Sequence, residues 1–190
     1  MVNKKQIFYQ NATRHRSMIM KKQNILYKIC LLSGIILINV GCDQTTKKIA
    51  HQHLASGNQV EYFQGIFTFV YAENTGAFLG LGSHLGAGIK QLFLVIVPAV
   101  LLAFLMVTTF FSRRISTAQA IAISFVIGGG VSNIFDRIFY GKVIDFMHFS
   151  MGYFQTGIFN MADLSIMTGL LLTVIFQVFS EKSNQNAFKL

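Results

Sequence analysis

The stretch GGGVSNIFDRIFYGKVIDFMHFSMGYFQTGIFNMAD, Gly128 to Asp163, decides the fold. Its surroundings are overwhelmingly apolar, yet it holds three of the chain's seven acidic residues, Asp136, Asp145 and Asp163. Asn133, Arg137 and Asn160 lie in the same stretch. Polar and ionisable groups are costly at a membrane boundary, so they mark a functional site by default. Asp145 falls near the end of GKVIDF and Asp163 closes FNMAD, each beside an apolar segment. Two carboxylates brought together at low dielectric cannot both ionise; they share a proton, one serving as base and the other as acid.

Outward from this stretch, the chain reads as a membrane protein. It has 190 residues, enough for one domain. Of these, 53% are hydrophobic and only 12% charged, and apolar runs approach the length that crosses a bilayer. The net charge of +9 does not indicate nucleic acid, because the basic residues flank apolar runs instead of lining one aromatic-interleaved face. They read as topology signals and contacts with anionic lipid heads. Cys30 and Cys42 both fall in or at the end of the first apolar run, so no disulfide framework is expected.

Residues 1–24 form a basic tail, expected to be disordered and cytoplasmic, with Met18 and Met20 as alternative translation starts. Four spans follow, at about 25–41, 92–111, 118–135 and 158–179, and residues 181–190 form a second tail. Lys28 can snorkel at the start of the first span. Pro98, the only proline, is expected to kink the second. Gly128, Gly129 and Gly130 permit close helix contact in the third. Arg113 and Arg114 mark the loop between spans two and three as cytoplasmic. Both termini then lie on the inner side, and topology alone brings Asp145 and Asp163 to the outer face, near the ends of spans three and four. Between the first two spans, residues 59–71 are rich in β-branched and aromatic types around Gln64-Gly65, the pattern of two short strands and a turn. The fold class expected is an all-α membrane protein of four transmembrane helices with a small β-rich element on the outer, periplasmic face.

Five motifs in order, DQTTK (Asp43–Lys47), NTGAF (Asn74–Phe78), GGGVSNIFDR (Gly128–Arg137), GKVIDF (Gly141–Phe146) and FNMAD (Phe159–Asp163), resemble those of lipoprotein signal peptidase, signal peptidase II, an intramembrane aspartic protease family. The resemblance covers roughly residues 25–179. It departs from the family pattern at Phe78, where a second Ala is usual, and at Ser132, where Gly is usual. It implies that Asp145 and Asp163 are catalytic, hydrolysing a peptide bond with an activated water and no metal or cofactor. It gives Asn74, Gly76, Asn133, Arg137, Asn160, Asp43 and Lys47 substrate-binding or supporting roles. The implied partner is a diacylglyceryl-modified prolipoprotein, cut before its lipidated Cys at the periplasmic face of the bacterial inner membrane; the surrounding lipid is the other partner. A monomer is expected.

The blander residue readings stand beside these. Asp136 and Arg137 read as a structural ion pair at the span end. Asn160, three before Asp163, is expected on the same helical face. Asn133 and Arg137 share a face at four-residue spacing. His51 and His53 read as solvated surface, and His148 as an aromatic-belt residue, although a metal beside Asp145 is conceivable. Phe146, Phe149, Tyr153 and Phe154 are candidates for a lid over the aspartates. Three other functions fit less of the chain: a homologue that binds prolipoproteins without cutting them, a small proton-coupled transporter, and a lipoprotein anchored at Cys42.

Overall fold

The computed structural model describes residues 4–77, 81–112 and 115–187, with side chains described from Ile25 to Phe179 within these bounds. Helix α1 runs from Lys4 to Leu54. Strands β1 (Gln59–Tyr62) and β2 (Phe67–Asn74) follow, then α2 (Ala87–Gln91), a π-helical turn (Leu92–Ile96) and α3 (Val97–Phe111). Helix α4 (Thr117–Tyr140), strands β3 (Val143–Met151) and β4 (Phe154–Gln155), and helix α5 (Met161–Ala187) complete the chain. Among the described residues, four helical stretches are long and apolar enough to cross a membrane: Ile25–Leu54, Ala87–Phe111, Thr117–Tyr140 and Met161–Phe179. The protein is therefore a multi-pass membrane protein of four helices with a small antiparallel sheet.

Several bounds differ from expectation for physical reasons. The N-terminal tail is helical from Lys4, continuous with the first span. That span does not stop at Gly41; a Gly costs only about 1 kcal/mol inside a helix, and the helix carries Asp43 and Lys47 outward on one face. Pro98 sits in the first turn of α3, directly after the π-helical turn, where the wider register absorbs the donor that proline lacks. Helix α4 starts in a reciprocal capping box between Ser116 and Gln119 and ends at Gly141, whose φ of 70° is the left-handed stop. It thus continues past Phe135 and keeps Asp136 and Arg137 helical. Arg113, Arg114 and Phe78 lie outside the described residues.

Helix α4 is the hub, packing on α1, α3 and α5. Its contact with α5 is close enough that a Cβ on Gly129 would collide with the Ala162 carbonyl, and one on Gly169 with the Ala122 carbonyl. The sheet, in order β1-β2-β3-β4, rests on the end of α1 through Ala50, Leu54, Phe146 and Met147. Strand β3 was not expected; residues 138–158 had read as a connecting segment. Its pairing with β2 shifts register between Phe69 and Ala72: Phe69 faces Met147, whereas Ala72 faces Asp145. One extra residue on β2 makes this bulge, which places Ala72 and Asn74 on the Asp145 side of the sheet in place of Glu73.

Candidate active site

The two aspartates arrive from different elements. Asp145 stands on β3, not at the end of the third span, and is 4% exposed. Asp163 lies in the first turn of α5. Asn160 immediately precedes that helix and works as its cap: its side-chain oxygen accepts from the Asp163 N–H (2.9 Å), and Asp163 Oδ2 accepts from the Asn160 N–H (3.2 Å). This reciprocal box corrects the expectation that both residues share a helical face. Asn160 also donates from Nδ2 to Asp145 Oδ1 (2.6 Å). One fully buried asparagine therefore joins the two carboxylates.

A second asparagine extends the bridge. Asn133, on α4, donates to Asp163 Oδ1 (2.9 Å) and accepts at Oδ1 from both Asn160 (3.3 Å) and Lys47 (3.0 Å). On the other flank, Asn74 donates to Asp145 Oδ2 (3.0 Å) and to the Ala77 carbonyl (3.1 Å), and its oxygen accepts from the Gly76 N–H (2.9 Å). Arg137 fixes the same turn, donating to the Gly76 carbonyl (2.9 Å) and to the Asn133 carbonyl one turn back (3.1 Å). Its Nε is buried with no acceptor among the described residues. Burial pushes Asp145 up to about 6, the neighbouring Asp163 adds to this, and the donors Asn74 and Asn160 with the Lys47 charge hold it down.

Behind the asparagines lies a layer of buried charge. Lys47 is 3% exposed and contacts Asp43 Oδ2 and Asp136 Oδ2, both at 2.6 Å. Asp43, fully buried, also accepts from Ser132 Oγ (2.7 Å) and from the Ala162 N–H (2.8 Å) at the start of α5. A carboxylate there complements the helix dipole. Asp43 and Lys47 are thus both buried behind the asparagine bridge, with Lys47 hydrogen-bonded to Asn133. Asp136 pairs with Lys47 and accepts from Gln44 (2.7 Å); it is not the partner of Arg137, because adjacent helical residues diverge by about 100°.

All nine residues singled out in the sequence converge. The lid does not form: Phe146 is buried against Phe69, while Tyr153 and Phe154 lie at the far hairpin, roughly 20 Å along the strand from Asp145. His148 points to the sheet face opposite Asp145, since an interval of three reverses sides, so the two do not form a metal pair. His51 contacts the Tyr71 hydroxyl (3.1 Å). Gln44, Ser165 and Asn39 were missed; Ser165 hydrogen-bonds Asn39 and the Phe125 carbonyl, tying α5 to α1 and α4. The signal for Asn39 was present in the stripe Asn39, Asp43, Lys47, polar residues at four-residue spacing on an otherwise apolar helix.

This arrangement of four helices and a small sheet recurs in solved bacterial membrane enzymes. One, determined by the in meso method at 2.3 Å resolution, superposes with a TM-score of 0.70 at 27% identity, covering 82% of this chain and 92% of that one. A second, determined at 1.9 Å, gives 0.68 at 25% identity over 78% of this chain and 93% of that one. Residues 35–179 match the model of signal peptidase (SPase) II, and the chain belongs to that peptidase family. A lipoprotein signal peptidase of Serratia marcescens is 31% identical over 170 residues, 90% of this chain and 96% of its own length. The Clostridium novyi lipoprotein signal peptidase is 32% identical over 144 residues, covering 75% and 93%.

Proposed function

We propose that this peptidase removes signal peptides from diacylglyceryl-modified prolipoproteins, cutting before the lipidated Cys, with Asp145 and Asp163 as the catalytic pair. The observation that carries this reading is the asparagine bridge: Asn160 contacts both carboxylates, and Asn133 contacts Asp163 and Asn160. Such a bridge holds the two acids in one network at low dielectric, where a carboxylate pair keeps one proton between them. The ionised carboxylate takes a proton from water as the water oxygen attacks the scissile carbonyl carbon. The protonated carboxyl donates to the carbonyl oxygen, stabilising the tetrahedral intermediate. The proton gathered from water then goes to the departing amide nitrogen, and the C–N bond breaks. Acid and base roles belong to the pair, which titrates as a unit.

Arg137 Nε, buried beside Gly76 with a free N–H, suits a substrate carbonyl, and Asn74 holds the turn that presents it. In this reading both termini are cytoplasmic, as the basic flanks of the spans support, and the dyad lies at the periplasmic face, where α4 ends and α5 begins. A site at this level lets the acyl chains of the substrate remain in lipid.

The test uses purified protein and a diacylglyceryl-modified prolipoprotein peptide, comparing wild type with Asp145→Asn and Asp163→Asn. Each change is nearly isosteric. Loss of at least about 10³-fold in turnover by both folded variants is expected, because each removes one half of a coupled acid–base pair. Cleavage by either variant within tenfold of wild type, on the order of 1.4 kcal/mol, overturns the dyad.

A further inference from the structure

A second cavity opens between the outer end of α1, the last turn of α4 and the start of β3. It encloses about 770 Å³, the size of a small-molecule site, and none of the dyad residues lines it. Its walls include Lys48, His51, Tyr71, Tyr140 and Lys142. Asp136 is the one acid among the lining residues, and Lys47 and Gln44 already occupy its oxygens. Lys48 makes no ion pair among the described residues. Lys142 meets Glu73 Oε2 at 2.7 Å, while Glu73 Oε1 accepts from Tyr71, so Glu73 orients an ammonium that has two further donors. Lysines at the outer end of spans run against the usual charge bias of membrane proteins, and Lys48 meets no acid among the described residues. The rest of the wall is amphipathic: Tyr140 and Ile144 offer apolar surface beside the cationic rim.

A cationic rim beside an apolar wall, at the ends of two spans, fits one kind of ligand. We infer that this cavity binds a phosphate group, supplied in the membrane by the headgroup of an anionic phospholipid of the outer leaflet, with Lys48 and Lys142 as its anion ligands. The phosphate bridges the two lysines, joining α1 to the α4–β3 turn, and the glycerol and first methylenes lie over Tyr140 and Ile144. The inference rests on the outward placement of these helix ends and not on peptide hydrolysis.

Binding is therefore measured without substrate. Full-length protein is placed in nanodiscs of phosphatidylcholine, alone or with an equal share of phosphatidylglycerol, and lipid retained after release into detergent is read by native mass spectrometry. Wild type is expected to retain phosphatidylglycerol. Lys48→Gln and Lys142→Gln each weaken retention about fivefold, and together roughly twenty-fivefold, with thermal stability and turnover in phosphatidylcholine unchanged. Lys48→Arg restores retention. Inorganic phosphate that binds wild type in phosphatidylcholine discs as tightly as the lipid does would identify a free phosphate as the ligand and overturn the lipid source. Equal phosphatidylglycerol retention by wild type and the double variant overturns the site. So does a higher KM of the double variant for a prolipoprotein peptide with no lipid retained by either protein, which would make the cavity a peptide subsite.

Discussion

Helices α3 and α4 both cross the membrane, and they are built in opposite ways. The span ending in α3 is the most apolar of the four, yet only 11% of its most apolar stretch is buried in the protein; for the less apolar α4 the share is 44%. Val100, Leu101, Phe104 and Val107 of α3 face outward, whereas α4 buries Gly128, Gly129, Ser132, Asn133 and Asp136. In lipid, apolar side chains gain little by meeting one another, so the interior of the bundle falls to small residues and to polar groups that satisfy each other. Hydropathy finds the spans; departures from hydropathy find the core and the site.

The sharpest challenge to this contrast is Lys47→Met. It leaves Asp43 and Asp136 buried without their cation, and a loss of ~3–5 kcal/mol is expected, read as a drop in the unfolding midpoint in detergent. Retention of wild-type stability would mean that the buried charges relax into water. Next in size is Gly129→Ala. Its Cβ meets the Ala162 carbonyl, backbone that cannot swing aside, so α5 shifts and Asp163 with it. A cost of about 1–3 kcal/mol and a fall in kcat are expected, while Gly34→Ala on α1, with open space around its Cβ, should instead gain about 0.5–1 kcal/mol.

A smaller effect concerns pH. Asp145, pushed up to about 6 by burial, keeps its proton to higher pH than an ordinary carboxyl. If the pair needs one proton, kcat/KM falls as pH rises through the value at which that proton leaves, at 6 or above. Asn74 stabilises the ionised form, so Asn74→Ala raises that limb further, by roughly one pH unit for a lost charge-assisted bond. A limb that moves down would assign Asn74 to the protonated form. Smallest of all, Val100→Ala on the lipid face of α3 should cost less than ~0.5 kcal/mol in a thermal melt.

Much of this was legible beforehand. The four spans follow from apolar length, and the convergence of Asp145 with Asp163 from counting crossings. The first two strands follow from aromatic and β-branched residues around a Gln64-Gly65 turn. Strand β3 was hidden because VIDFMHFSM is partly buried on both faces, which erases the alternation that announces a strand. The depth of Lys47 was hidden because a lysine reads as surface until its partners, Asp136 on another helix and Asp43 one turn away, are placed around it. The cap at Asn160 was readable: a short polar side chain, then an acid three residues on, before an apolar run. Read as a helix face, it paired Asn160 with Asp163, which do hydrogen-bond, but with the wrong geometry. The partner of Asp136 depended on α1 continuing past Gly41, which only the four-residue spacing of Asn39, Asp43 and Lys47 signalled.

The bulge in β2 has a consequence for how this protein can change over generations. Side chains along the sheet can drift one at a time, since each alters a single contact. The register cannot. Sliding the pairing to take up the extra residue between Phe69 and Ala72 would set Glu73 opposite Val143 and turn Asn74 away from Asp145. Losing one residue of that interval would instead leave Ala72 opposite Asp145 and Asn74 opposite Val143. Among descendants of this sequence, the interval should therefore shorten by one residue at most, with Asn74 kept on the Asp145 side.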